Sequence, residues 1–206
     1  MQNNQPRQQT LVHSIVMSFF KSIVRKFYFA IWKRIFSNEI VVLFEMKQPA
    51  PVEVVGLSIQ PVTDRNVLDA STFQNDFQLH QFQTLMTQGN FGFYGYLDGR
   101  CVHRSWALPG PAKAAIHPLL HKKLSGTEIF IHYCETSSQA RGKNIFTAVL
   151  SHIGRQFALK KILICASLEN TASIRSIKKS GFIEIERIHL MVFFGVRFVK
   201  SLPPQI

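Results

Sequence analysis

Residues 128–150 read EIFIHYCETSSQARGKNIFTAVL, and their reading decides the fold. Glu128–Thr136 is rich in the β-branched and aromatic residues of a strand. From Ile145 the spacing becomes helical, out to Leu159. Between the two lies SSQARGKN, a polar, basic, glycine-containing junction. The first amides of a helix have no partner inside it and point out of its end. The helix dipole adds positive potential at the same place. Together they make an anion site that needs no side chain. Gly142 permits close backbone approach, and Asn144 tolerates a left-handed conformation. Arg141 and Lys143 add charge. A solvated basic loop would have a similar composition, so the flanking sequence has to decide.

Downstream, Lys161–Ser167 (KILICAS) is a nearly continuous apolar run, as for a strand covered on both faces. Asn170–Ser180 reads as a helix closed by Gly181, and Ile183–Phe194 as a long strand. Upstream, Ile40–Met46 reads as a strand and Val54–Ile59 as a short one. Thr63–Asp64 is read as an N-cap, with one or two helices over 65–89 ending at Gly89. Phe91–Leu97 and Arg100–Leu108 flank Asp98-Gly99, a hairpin signal. The stretch 109–126 carries Pro109, Gly110, Pro111, Pro118 and Gly126 and reads as a loop with a short helix. The pattern is that of a mixed α/β chain (α+β), with a mostly antiparallel central sheet and helices on both faces.

Two junctions occur in order: Gln139-Ala-Arg-Gly142-Lys-Asn144 before one helix, and Asn170-Thr-Ala-Ser173 before the next, which closes in Gly181-Phe182. Here the chain resembles the GNAT acyltransferase superfamily, whose members use acetyl-CoA or a related thioester. The resemblance is clearest over 128–194. Gln139, Gly142 and Asn144 occupy the places of the family's pyrophosphate loop. Asn170 and Gly181-Phe182 match its later signature.

The resemblance implies a direct transfer of an acetyl or acyl group from CoA to a primary amine. Strands 128–136 and 161–167 would splay, and pantetheine would insert between them. Backbone groups of Tyr133, Cys134 and Glu135 would bond it, and one amide there would stabilise the oxyanion. Amides of Arg141, Gly142, Lys143, Asn144 and Ile145 would hold the pyrophosphate. Asn170 would fix the second turn, with Ser173 beside it. The implied base is Glu135 or Glu128, and either carboxylate reads equally well as a surface group. Two departures from the family pattern stand out. Asn144 replaces a small residue of the loop, and Ile177 stands where many members carry a tyrosine that protonates the thiolate.

His103, Arg104 and Trp106 lie on a strand that would face substrate, with Arg104 suited to an acidic group. Simple alternation of buried and exposed positions accounts for them as well. No metal is expected. His117 and His121 stand four apart, but HPLLH lacks the glutamate of HExxH and Pro118 disturbs the turn. No GxSxG or GxxxxGK[ST] occurs. Cys101, Cys134 and Cys165 are widely spaced without a CxxC, which fits buried thiols in a reducing, cytoplasmic setting.

The formal net charge is +12. Residues 1–38 contain Arg7, Lys21, Arg25, Lys26, Lys33 and Arg34 and no acid, whereas 39–206 hold 18 basic and 12 acidic side chains. The expected organisation is a polar tail and basic amphipathic helix over 1–38, followed by the acyltransferase-like domain over 39–206. On a wheel of about 100° per residue, Lys21, Arg25 and Lys33 share one arc, opposite Val16, Phe20 and Phe27. Charges interrupt residues 11–36 too often for a membrane span. They suit a membrane surface, packing on protein, or a transit peptide. No nucleic-acid-binding signature accompanies them. The expected partners are a small-molecule or peptide amine, a membrane surface through 11–36, and a second copy of the chain. The alternative function is a non-catalytic module of the same fold that docks through that helix.

Overall fold

The computed structural model describes residues 35–204. The tail and basic helix expected at the start fall outside those residues up to Arg34, and Phe36 opens a strand instead of closing a helix. The described elements are β1 (Phe36–Met46), β2 (Leu57–Pro61), a 3-10 turn (Val67–Thr72), α1 (Asp76–Thr87), β3 (Phe91–Leu97) and β4 (Arg100–Pro109). They continue as β5 (Ala112–His117), β6 (Leu120–Leu124), β7 (Glu128–Thr136), α2 (Ile145–Gln156), β8 (Lys161–Ser167), α3 (Thr171–Lys179), β9 (Phe182–Phe193) and β10 (Val196–Leu202). Eight strands form one sheet in the order β10-β9-β1-β8-β7-β4-β3-β2, and β5 and β6 form a separate hairpin. β7 and β8 run parallel, while β1–β8, β2–β3, β3–β4 and β4–β7 pair antiparallel.

Residues of each strand alternate between the two faces. Val42, Phe44, Phe93, Ile129, Ile131, Ile162 and Ile164 pack with Ile145, Val149, Leu150 and Ile153 of α2. On the other face Tyr94, Tyr96 and Trp106 pack with Leu79, Phe82 and Leu85 of α1. Leu43, Phe130 and Leu163 lie under Ala114, Ile116 and Leu124 of the β5–β6 hairpin. The sheet is therefore a mixed α/β layer with helices on both faces, as the residue pattern predicts. Truncating a fully buried anchor such as Leu150 to alanine costs about 2–5 kcal/mol.

The sequence reading is corrected at two places and extended at a third. Residues 109–126 form a hairpin, not a loop with a helix. Its prolines and glycines flank the strands, and Ala114 and Ile116 alternate inward. Residues 65–89 form two helical pieces, the 3-10 turn and α1, in keeping with the reading, and the correction there is to the N-cap. The cap is Asn75, which exchanges side-chain and backbone bonds with Gln78 in a capping box. Thr63 instead donates its amide to the Asn66 side chain at 2.7 Å. The strand read over 183–194 stands as β9, and β10 adds a further strand after a turn in which Phe194 and Gly195 both have positive φ.

The described residues fall into two compact units. The smaller comprises 35–39 and 189–200. Within it Phe194 donates its amide to the Ile35 carbonyl at 2.7 Å, and Phe36 meets Phe193 edge to face. The larger, 40–188 with 201–204, holds everything described below. No helix among the described residues is long and apolar enough to cross a membrane.

Candidate active site

The parallel ladder of β7 and β8 runs from Glu128↔Lys161 only to Ile131↔Ile164. Both strands continue, to Thr136 and Ser167. The continuation of β7 stays paired with β4, and that of β8 stays paired with β1. The facing edges of residues 132–136 and 165–167 are thus left without each other. A cleft of about 490 Å³ opens at this divergence.

One wall is the upper end of β7. Tyr133 has φ +48, and the β4–β7 register shifts between Arg104 and Trp106. Tyr133 and Cys134 together oppose Ser105, which makes a bulge on β7. Arg104 holds it. Its guanidinium donates to the Tyr133 carbonyl, to Gln74 Oε1 at 3.0 Å and to Glu135 Oε2 at 2.7 Å, and it lies over the Phe82 ring at 4.9 Å. Burial pulls the Arg104 pKa below its ordinary value, and the carboxylate of Glu135 opposes that shift. Arg104 is therefore committed inward and is not free for an acidic substrate group.

The other end of the cleft is the SSQARGKN junction. Gly142 has φ +81 and Asn144 φ +58. No side chain caps α2, so its first-turn amides remain available to a ligand. The Asn144 side chain turns away to accept from Lys179 Nζ at 3.0 Å. Asn170 caps α3 by accepting from the Ser173 amide at 3.1 Å.

Cys134, Glu135, Arg141, Gly142, Asn144, Ile145, Asn170 and Ser173 all border the cleft. Tyr133, Gln139 and Lys143 do not. Tyr133 turns to the opposite face, where its hydroxyl accepts from Gln81 at 2.8 Å, and Gln139 and Lys143 are exposed. Glu128 lies at the far end of β7. It accepts from the Ser125 amide at 2.8 Å, which holds its carboxyl below the ordinary range. It sits beside Ser125 and Lys161, at the opposite end of β7 from the cleft.

Sequence reasoning missed Thr136 and Phe146. His103 bridges Thr136 Oγ1 at 2.7 Å and Ser105 Oγ at 2.8 Å, and stacks on Phe146. Burial pushes His103 down to about 3. Cys134 is pushed up to about 11 by burial, so it stays a thiol and not a nucleophile. Trp106 is fully buried under α1, against Phe82. His117 and His121 fall on β5 and β6, so the helical spacing that makes a metal pair does not exist there.

No protein-family model matches the chain, and no curated protein matches it. Solved structures do. One is a GNAT-family acetyltransferase from Colwellia psychrerythraea, 12% identical, with TM-score 0.51 over 82% of this chain and 57% of that one. The chain has the GNAT fold. A GCN5-related N-acetyltransferase from Sphaerobacter thermophilus aligns with TM-score 0.53 and 12% identity, over 90% of this chain and 58% of its own. A glucosamine N-acetyltransferase region of a fungal multi-domain β-N-acetylglucosaminidase gives 0.56 at 12% identity, over 84% of this chain and 23% of that one. The chain thus spans under two thirds of the length of each of these proteins.

Proposed function

We propose that this chain is an acyl-CoA-dependent N-acyltransferase that moves an acetyl group from the coenzyme to a primary amine. The observation that carries this is the divergence of β7 and β8 beyond Ile131 and Ile164, opening onto the uncapped start of α2. Unpaired main-chain edges accept an extended amide chain as a strand would. Uncapped amides with Arg141 beside them accept a diphosphate. The residues present therefore fit the coenzyme.

Each residue then has a task. Amides of 141–145 hold the diphosphate. The unpaired edges of Cys134 and Glu135 bond the pantetheine arm, and an amide of the bulge stabilises the oxyanion. Asn170 and Ser173 fix the second turn at the cleft. Glu135 and Arg104 position the bulge. The acyl donor is already activated, so the protein contributes orientation and proton removal rather than a nucleophile. Ile177 is buried with 1% exposure and has no proton to donate, so the thiolate takes its proton from another group at the cleft or from water.

Calorimetry with acetyl-CoA tests the reading. Wild-type protein is expected to bind with micromolar affinity, and Arg141→Glu to lose roughly tenfold, about 1.4 kcal/mol. No binding at saturating coenzyme, or an unaffected variant, contradicts it.

A further inference from the structure

A second cavity, of about 470 Å³, lies against β7 on the face of α1 and the β5–β6 hairpin. Its walls include Leu85, Leu108 and Phe130, and its polar groups are Gln88, Asn90, Lys113 and His132. Tyr133 also borders it, and the next residue, Cys134, borders the coenzyme cleft. Adjacent Cα atoms are about 3.8 Å apart, so consecutive residues of the bulge line the two cavities, one on each side of β7.

The local chain fixes the state of His132. Gly89 has φ +78 and ends α1 in a Schellman turn, with the Asn90 amide on the Leu85 carbonyl and the Gly89 amide on that of Met86. The Asn90 side chain donates Nδ2 to the same Leu85 carbonyl at 3.1 Å. Its Oδ1 is left to accept, 2.9 Å from His132 Nε2. The proton of the neutral ring therefore sits on Nε2, and the lone pair on Nδ1. Burial, with the Arg104 charge, pushes His132 down to about 4.

No carboxylate lines the cavity, and no carboxylate pairs with Lys113 among the described residues. Such a site repels additional cations on an acceptor and attracts a carboxylate or phosphate.

We propose that this cavity receives the acceptor, that His132 Nδ1 takes its proton, and that the acceptor is an apolar monoamine, neutral or anionic in its remainder. The proposal rests on the acyltransferase reading. The amine nitrogen forms a bond to the thioester carbon, and the ammonium proton of the adduct passes to Nδ1. The carbon–sulfur bond then breaks with its electron pair on sulfur. The thiolate takes a proton from water, and His132 returns its own to solvent.

The test is steady-state transfer from acetyl-CoA to 4-(aminomethyl)benzoate, benzylamine and spermidine, with acetyl-CoA calorimetry on each variant. Expected kcat/KM falls in that order, by at least tenfold from first to last. Lys113→Glu reverses the order. His132→Gln lowers kcat on the best amine by about a hundredfold and leaves acetyl-CoA affinity unchanged. Long-range nitrogen–proton NMR places the His132 proton on Nε2 in wild type. The proposal is overturned if spermidine is preferred, if no amine of the panel turns over while acetyl-CoA binds, or if His132→Gln keeps its rate. Failure of wild type to bind acetyl-CoA would instead sink the parent reading.

Discussion

The two cavities beside β7 are built in opposite ways. The coenzyme cleft is made of main chain: diverged strand edges, a bulge and an uncapped helix start. The cavity across the sheet is made of side chains drawn from 85–90, 108–115 and 130–133. Backbone sites need glycines, asparagines and caps at fixed intervals, and so leave a local trace in the sequence. Side-chain sites need residues that are distant along the chain, and leave none. The same contrast divides the two signature glycines. A Cβ at Gly142 would meet nothing within 4 Å, whereas one at Gly181 would lie 1.8 Å from the Gln48 carbonyl oxygen. Gly142 serves a conformation beside the cleft, and Gly181 serves the packing of the chain that follows β1.

Substitutions sharpen this difference. Gly181→Ala forces backbone apart, and we expect a loss of about 4 kcal/mol or more in urea unfolding, with insoluble protein as the extreme. An equal, small loss at both glycines would erase the distinction.

Next in size is the response to acid. His103 and His132 have folded values of about 3 and about 4, against about 6.5 in the unfolded chain. Between those values the unfolded chain binds more protons, so stability is full above about pH 6.5 and falls as pH drops. At pH 5 each histidine withdraws about 2 kcal/mol. His132→Gln should remove its share of that slope and leave the share of His103. Urea midpoints that stay flat from pH 7 to 5 would contradict the buried, neutral state on both faces.

Gly142→Ala places a side chain in a left-handed position with open space around it. The expected stability cost is about 1 kcal/mol, while acetyl-CoA affinity drops about tenfold as the loop relaxes. Unchanged affinity would break the assignment of the junction to a ligand. Smallest is Asn144→Gly. It keeps the backbone at φ +58 and gives up the Lys179 bond, which is exposed and contributes about 0.5 kcal/mol at most. Thermal unfolding should shift by a degree or two.

The contrast also explains what could be read from the chain alone. Strands 128–136 and 161–167 match their predicted bounds, because buried apolar runs end sharply at polar turns. The left-handed Asn144 and the cap at Asn170 follow from residue chemistry at helix starts. The β5–β6 hairpin was illegible, because Pro111 and Pro118 mark its edges and look like breakers. Arg104 looked available to substrate, since an ion pair to Glu135 across the β4–β7 ladder depends on a register that sequence does not specify. Glu128 looked equivalent to Glu135, and only their positions at opposite ends of β7 separate them. Asn90 and His132 stand 42 positions apart, and nothing local announces their contact.

Amide hydrogen exchange with and without acetyl-CoA tests the central claim most directly. Residues 133–136 and 142–147 should gain protection, while 128–131, already paired with β8, should not change. Protection confined to other segments, or none at saturating coenzyme, would contradict a coenzyme site at the divergence of β7 and β8.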